Sequence, residues 1–300
     1  MGVNLSGPEW KGSAAYPAPG LIDYYIKTGM TVFRLPFLWE RLQPKLGADL
    51  SVNEVAALDR VVDQVTRRGI YIVLDMHNYM RRDGEVIGEN TSKTSAKDFG
   101  DFWGILSRKY KDNNLVIFGL MNEPYGIESN LNVANQNEAI TRIRDTGARN
   151  LVLASPNYWS GAWSWNWSDN GTKMLGISDP IRNTAYDMHQ YLDKDGGGSG
   201  VICAKSSGST RLAAATVWLR EHGKRAFLGE FGTADNDECL SELRDLLKFL
   251  SVNKDVWLGW TYWAGGGHWP PGDPYQIDPI DLDARKERKQ MKILKEFSSP

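Results

Sequence analysis

Two glutamates close short apolar runs: Glu123 in GLMNEP and Glu230 in FLGEFG. Cleaving a glycosidic bond needs one carboxyl that protonates the leaving oxygen and a second that attacks or stabilises the anomeric carbon, set about 5 Å apart when configuration is retained. Glu123 as acid/base and Glu230 as nucleophile would fill these roles, the charge of Glu230 raising the proton affinity of Glu123. Glu230 must stay ionised, and the fixed charge of Arg34 with a hydroxyl from Tyr191 would keep it so. Asn122, beside the acid, is placed for the sugar 2-hydroxyl. His77 and His189 would orient the sugar and the carboxyls, and Trp263 would form a floor for the reacting ring. Each has an ordinary counterpart: a barrel ion pair for Arg34, a core ring for Trp263, a buried neutral tautomer for either histidine.

Such residues need a frame that brings them together. Eight short apolar or β-branched runs alternate with segments of helical period: GVNLSG from Gly2, TVFRLPF from Thr31, YIVLDMHN from Tyr71, LVIFGLMNEP from Leu115, NLVLASP from Asn150, TAYDMHQY from Thr184, RAFLGEFG from Arg225 and VWLGWTYWA from Val256. Helices are expected over 54–68, 97–111, 133–147, 210–222 and 237–252, with Gly29, Gly69, Gly147 and Gly223 as left-handed caps before the next strand. Repeated strand–helix units predict a closed (β/α)8 barrel, a single domain over 1–300. Barrel enzymes keep their chemistry at the C-terminal ends of the strands. Asn4, Arg34, His77, Asn122, Glu123, Asn157, His189, Tyr191, Glu230 and Trp263 stand at or near those ends. Longer segments at 79–95, 158–180, 192–208 and 264–284 would wall the mouth. The run Gly196, Gly197, Gly198 and Gly200 is expected to be a flexible loop and not a phosphate cradle, and Glu9 and Glu40 are expected to be solvent-exposed without partners.

The chain has 300 residues, a formal net charge of −2 and a pI near 6.1. That balance argues against nucleic acid or an anionic membrane as partner and favours a neutral substrate. No apolar stretch approaches the ~18 residues of a membrane span, and no leader is visible; the strand beginning almost at Met1 suggests a trimmed catalytic domain. Twelve tryptophans are many for this length, and Trp159, Trp163, Trp165 and Trp167 crowd together. Indole faces stack on sugar C–H faces, so Trp159, Trp163, Trp165 and Trp269, with Asn78 and Asn157, are expected in outer sugar subsites. Cys203 and Cys239 are too few for a disulfide scaffold and wrongly spaced for zinc; a free pair and one bridge are both open. With four histidines and no His-x-His pair near the first strand, no metal or organic cofactor is expected.

Taken together, Arg34 in FRLPF, His77 in DMHNY, Asn122 and Glu123 in MNEP, His189 and Tyr191 in DMHQY, Glu230 in GEFG and Trp263 in WTYWA resemble the shared catalytic set of glycoside hydrolase family 5, and within it the endo-β-1,4-glucanases of subfamily 5. The resemblance runs from VNLSG to WTYWA. It implies a (β/α)8 barrel, retaining cleavage of internal β-1,4-glucan bonds, a cello-oligosaccharide or glucan as partner, no cofactor, and a bridge between Cys203 and Cys239. A polymer that cannot enter cells implies a secreted enzyme, and nothing points to an oligomer. Mannan, xyloglucan or mixed-linkage glucan would suit the same chemistry; a non-catalytic glycan-binding barrel and a metal-dependent hydrolase are the readings from other classes.

Overall fold

The computed structural model describes residues 1–10, 15–270, 272–282 and 286–297; positions 271, 283 and 284 of the expected final loop lie outside them. Eight strands form the ring: β1 (Gly2–Leu5), β2 (Val32–Phe37), β3 (Tyr71–Met76), β4 (Val116–Gly119), β5 (Val152–Ala154), β6 (Thr184–His189), β7 (Ala226–Glu230) and β8 (Trp257–Gly265). Each pairs in parallel with its sequence neighbours, and β8 closes on β1. The single-domain (β/α)8 barrel expected from the sequence is the fold found.

Side chains alternate along a strand, so the ring interior is filled in layers. Val32, Val73, Ile117, Leu153, Ala185 and Phe227, from six different strands, form an apolar cluster separate from the main core. Residues of six strands meet in this way inside the ring. Two positions further along three of these strands stand Arg34, Asp75 and Asp187, all fully buried. Two further again stand His77, just past the end of β3, and His189, the last residue of β6. The barrel thus passes from a hydrocarbon floor through a charged middle to a polar mouth.

The helices close the outer face. In α2 (Val52–Thr66) the buried residues Leu58, Val61, Val62 and Val65 follow the helical repeat, and the Ser51 side chain caps the N-terminus by accepting from Glu54 N. The helix α3 (Ala96–Tyr110) opens with a Ser95–Asp98 capping box. The helices α4 (Ser129–Asp145) and α6 (Ser207–Glu221) start before the expected 133 and 210, and α7 spans Asp237–Val252 as expected. Two shorter elements, α1 (Pro19–Lys27) and the single turn α5 (Asn170–Lys173), fill the first and fifth connections, and α8 (Lys289–Glu296) follows the last strand. At Gly69 and Gly147, φ is 73° and 83° while a Cβ would meet nothing within 4 Å, so the left-handed turn itself selects glycine. Among the described residues no helix is long and apolar enough to cross a membrane.

The loop after β6 departs from expectation. Buried Asp193 accepts hydrogen bonds from the amides of Gly198, Ser199 and Gly200 at 3.1, 3.2 and 2.9 Å, so a carboxylate gathers the glycine run into a fixed turn. Cys203 and Cys239 form a disulfide that fastens this loop to the first turn of α7. The bridge spans 36 positions, and by chain entropy a loop of that size is worth about 4 kcal/mol. Replacing both cysteines with serine is expected to lower the urea unfolding free energy by roughly this amount; unchanged stability would mean that the Asp193 contacts already hold the loop.

Candidate active site

The charged middle layer is organised by Arg34. Its Nη1 donates to Glu230 Oε1 at 2.7 Å and Asn4 Oδ1 at 3.0 Å, and its Nη2 donates to Asn122 Oδ1 at 2.7 Å. The same Nη2 lies 3.0 Å from Asp75 Oδ1 and 3.6 Å from Asp187 Oδ2. The second oxygen of Glu230 accepts from the Tyr191 hydroxyl at 2.9 Å. His189 Nδ1 is 2.7 Å from Glu123 Oε1 and 3.6 Å from Glu230 Oε2. His77 is 2.8 Å from Asp75 and 3.2 Å from Asn122 Nδ2, and Trp263 stacks on its ring at 5.5 Å. All eight residues of the expected central set therefore lie in one connected cluster.

Local backbone departures aim the two glutamates. Adjacent residues of a regular strand point to opposite faces, so Asn122 and Glu123 enter the mouth together only because the chain leaves the extended conformation; Glu123 has φ 42°. A left-handed non-glycine residue costs about 1–3 kcal/mol, which the surrounding contacts must hold. On β7 the pairing with β6 slips, from Met188 opposite Leu228 to His189 opposite Glu230. That irregularity turns Glu230 toward the mouth although Phe227 already faces the interior. Gly229, at the slip, has no room for a side chain: a Cβ would stand 2.0 Å from Asp187 Oδ1.

The electrostatics differ in one respect from the sequence expectation. Burial pushes Glu230 above the usual carboxylate range, with His189 and Arg34 opposing and Glu123 reinforcing the rise. Glu230 is the deeper of the pair, its side chain 5% exposed against 16% for Glu123, so desolvation falls on it. Burial also disfavours a charged His189, but Glu230, Asp187 and Glu123 outweigh it and lift the ring to about 10. For His77 burial is outweighed by Asp75, and its value rises. Because Arg34 fixes the Asn122 oxygen, the amide NH2 faces His77 Nε2, which assigns the ring proton to Nδ1, toward Asp75.

The mouth carries two adjoining clefts. One, about 520 Å³, contains Glu123, His189, Tyr191 and Glu230 with Tyr158, Trp159, Trp163 and Trp167. The other, about 420 Å³, is lined by Glu9, Trp10, Glu40, Asn78 and Tyr125 among others; both share His77, Tyr79 and Trp263. Of the expected outer residues, Trp159 and Trp163 line the first cleft and Asn78 the second. Trp165 does not: it is 2% exposed and packs on Trp218 and Tyr186. Asn157 is buried too, donating to Ile127 O at 2.7 Å and accepting from Tyr158 N, so it braces the left-handed turn of Tyr158, Trp159 and Ser160. Trp269 lines neither cleft and stands edge-on behind Trp263. Glu9 and Glu40 have partners after all: Glu40 accepts from Asn78 Nδ2 and Asp83 N, both at 2.7 Å, and Glu9 from Gly7 N and Trp10 Nε1.

Sequence reasoning passed over Tyr79 and Tyr125 in the clefts and Asp75 and Asp187 beneath them, and it named Trp167 in the tryptophan cluster without giving it a subsite. The aspartates carried a signal: β3 and β6 both read Asp-Met-His, which puts the two residue types on one strand face. Among the described residues, ligand-type atoms of Glu123, His189 and Glu230 come within 4.8 Å of one another. His189 Nδ1 lies 2.7 Å from Glu123 Oε1, so two of the three groups are already paired with each other.

A closed parallel barrel with two glutamates facing each other at its mouth, lined by aromatic rings, is the framework of a two-carboxylate glycosidase. The cellulase family, glycosyl hydrolase family 5, matches residues 1–266. The chain is 39% identical to endo-beta-1,4-glucanase A of Emericella nidulans, over 97% of this chain and 90% of that protein. It superposes with TM-score 0.95 on an endo-beta-1,4-glucanase from Xanthomonas axonopodis pv. citri, 37% identical over 99% and 97% of the two chains. XacCel5A, solved in complex with cellopentaose, gives TM-score 0.94 at 38% identity, over 99% and 98%. The chain belongs to glycosyl hydrolase family 5.

The raised His189 has a consequence for stability. The folded protein keeps a proton that an unfolded histidine releases near 6.5, so this contribution is complete below about pH 6.5 and is lost as pH rises through about 10. Thermal midpoints measured from pH 6.5 to 10 are expected to fall more steeply for the native chain than for His189→Asn. Parallel curves would show that His189 is not the group responsible.

Proposed function

We propose that this chain is a retaining endo-β-1,4-glucanase with Glu123 as acid/base and Glu230 as nucleophile. The observation that carries the reading is the approach of their oxygens to within 4.8 Å, a spacing that leaves no room for an attacking water between carboxyl and sugar and suits direct attack. In the first step a Glu230 oxygen bonds the anomeric carbon, the glycosidic C–O bond breaks, and the Glu123 proton passes to the leaving oxygen. In the second, water attacks that carbon, its proton goes to Glu123, and Glu230 leaves as a carboxylate. Arg34 and Tyr191 hold the attacking carboxylate at 2.7 and 2.9 Å, and Asn122, fixed by Arg34, is positioned for the sugar 2-hydroxyl. Trp263, braced by His77 and Trp269, gives the reacting ring a flat apolar floor.

Internal cleavage follows from the two clefts meeting at Trp263, which let a chain continue to either side of the glutamates. The name endo-beta-1,4-glucanase carried by the relatives supports β-1,4-glucan as the substrate. Trp159, stacked on Tyr125 at 4.8 Å, and Trp163 supply outer platforms, and Asn78 a polar edge. We also assign residues 1–300 to one catalytic unit, acting as a monomer without metal or organic cofactor. The Cys203–Cys239 disulfide supports an oxidising, extracellular setting.

On soluble carboxymethyl cellulose the native chain is expected to drop viscosity faster than it releases reducing ends. Glu123→Ala should slow hydrolysis by about a hundred- to ten-thousand-fold, and Glu230→Gln should abolish it while leaving cello-oligosaccharide binding nearly intact. Early release of the α-anomer would overturn retention, full activity of Glu230→Gln would overturn the nucleophile, and rapid hydrolysis of mannan with none of cellulose would move the substrate. Activity lost in excess chelator and restored by a divalent ion would overturn the metal-free mechanism.

A further inference from the structure

Asp187 is the least accounted-for charge in the molecule. It is fully buried in the barrel interior, and neither of its oxygens has a hydrogen-bond partner among the described residues. Its two ionic neighbours are Arg34 Nη2 at 3.6 Å and His189 Nε2 at 3.8 Å, and β7 makes space for it with a glycine whose Cβ would collide with Oδ1. A buried carboxylate without hydrogen bonds is costly, so the cations beside it must stay charged. His189, its near neighbour, turns its other nitrogen to the reacting pair: Nδ1 is 2.7 Å from Glu123 and 3.6 Å from Glu230. The further groups facing this ring's surroundings are Arg34, Tyr191 and His77, of which the first is a permanent cation.

In the two-step reaction the negative charge changes place. Before the first step it lies on Glu230; once the glycosyl ester forms, Glu230 is neutral and Glu123, having given its proton away, is the anion. A counter-ion fixed on Glu230 alone serves one of these states. We propose that Asp187 is a positioning residue that holds His189 as an imidazolium between the two glutamates, so that one cation neutralises whichever carboxylate is ionised in each half-reaction. The roles of Glu123 and Glu230 in this inference rest on the functional reading above; the Asp187–His189 pairing does not. The upward displacement of the His189 proton affinity agrees with it.

The chain has four histidines, His77, His189, His222 and His268, few enough for nitrogen NMR of the full protein labelled with 15N-histidine, with His189→Asn identifying the signals. Both nitrogens of His189 are expected to remain protonated at pH 8. In Asp187→Asn the ring should lose its proton at least about one pH unit lower. That variant should also show a lower kcat with KM nearly unchanged, and the alkaline limb of its kcat profile should move in the acid direction by the same amount. With a dinitrophenyl cellobioside, whose leaving group needs no acid, turnover should still fall, because ester hydrolysis uses the same cation. A singly protonated His189 in the native protein at pH 7 overturns the proposal, and this measurement stands even if Asp187→Asn does not fold. A folded variant with an unmoved histidine titration and an unmoved limb overturns it equally. A native protein with the imidazolium present but no hydrolysis of any β-glycan would sink the functional reading and leave the ion pairing in place.

Discussion

Arg34 carries a full charge into the barrel with no surface exposed to water. A guanidinium in that position is tolerable only when acceptors surround it, and here Asn4, Asn122, Asp75, Asp187 and Glu230 do so from positions on or just past five different strands. The apolar floor of Val32, Val73, Ile117, Leu153, Ala185 and Phe227 closes the barrel below, so these charges act on one another with little screening. Much of the mouth follows from this arrangement. Arg34 fixes one oxygen of Glu230, orients the Asn122 amide, and through that amide selects the proton position on His77. The planar fork of arginine makes these contacts simultaneous; lysine, a single point charge, would have to choose among them.

The regular parts of the barrel supply the frame, and its irregular parts supply the aim. The left-handed φ of Glu123, the slipped register at Glu230 and the left-handed turn over Tyr158, Trp159 and Ser160 all lie at the mouth. The last two depend on a neighbour visible in the sequence only as an ordinary polar residue or glycine. Asn157 holds the turn through Ile127 and Tyr158, and Gly229 gives way to Asp187. Strain of this kind survives where neighbouring packing over-determines the backbone, and a barrel anchored by eight paired strands provides that packing.

What was legible in the sequence was whatever ended a strand. Most of the eight central residues, the ring and most helices follow from apolar runs that stop at a polar side chain, because that pattern has one simple meaning in a parallel barrel; Arg34, expected near a strand end, is instead the third of six residues in β2. Asp75 and Asp187 escaped because they lie inside the runs, where attention rested on the histidines two residues later. The tryptophan cluster failed for a different reason. Trp163, Trp165 and Trp167 alternate along the chain, but Trp163–Asn166 form a 3₁₀ turn, so alternate residues do not share a face as they would in an extended segment. Trp163 and Trp167 accordingly meet edge to face at 5.6 Å beside the cleft, while Trp165 turns into the core. Composition registered the surplus of indoles and had no means of sorting them.

The two clefts and the charged centre divide the work in a way that bears on specificity. On the proposed reading, stacking on Trp159, Trp163 and Trp263 would favour any flat-faced sugar and gain nothing from the developing charge, so it would bind ground state and transition state alike. The centre would do the opposite, since Arg34, His189 and Tyr191 face the carboxylates whose charge appears or moves in the proposed reaction. Changes in the walls would therefore alter which β-glycan enters, leaving the barrel chemistry in place. The rim mixes charges, with Glu9, Glu40 and Arg81 in one cleft and Asp195 in the other, so it offers a glycan's hydroxyls acceptors and a donor alike.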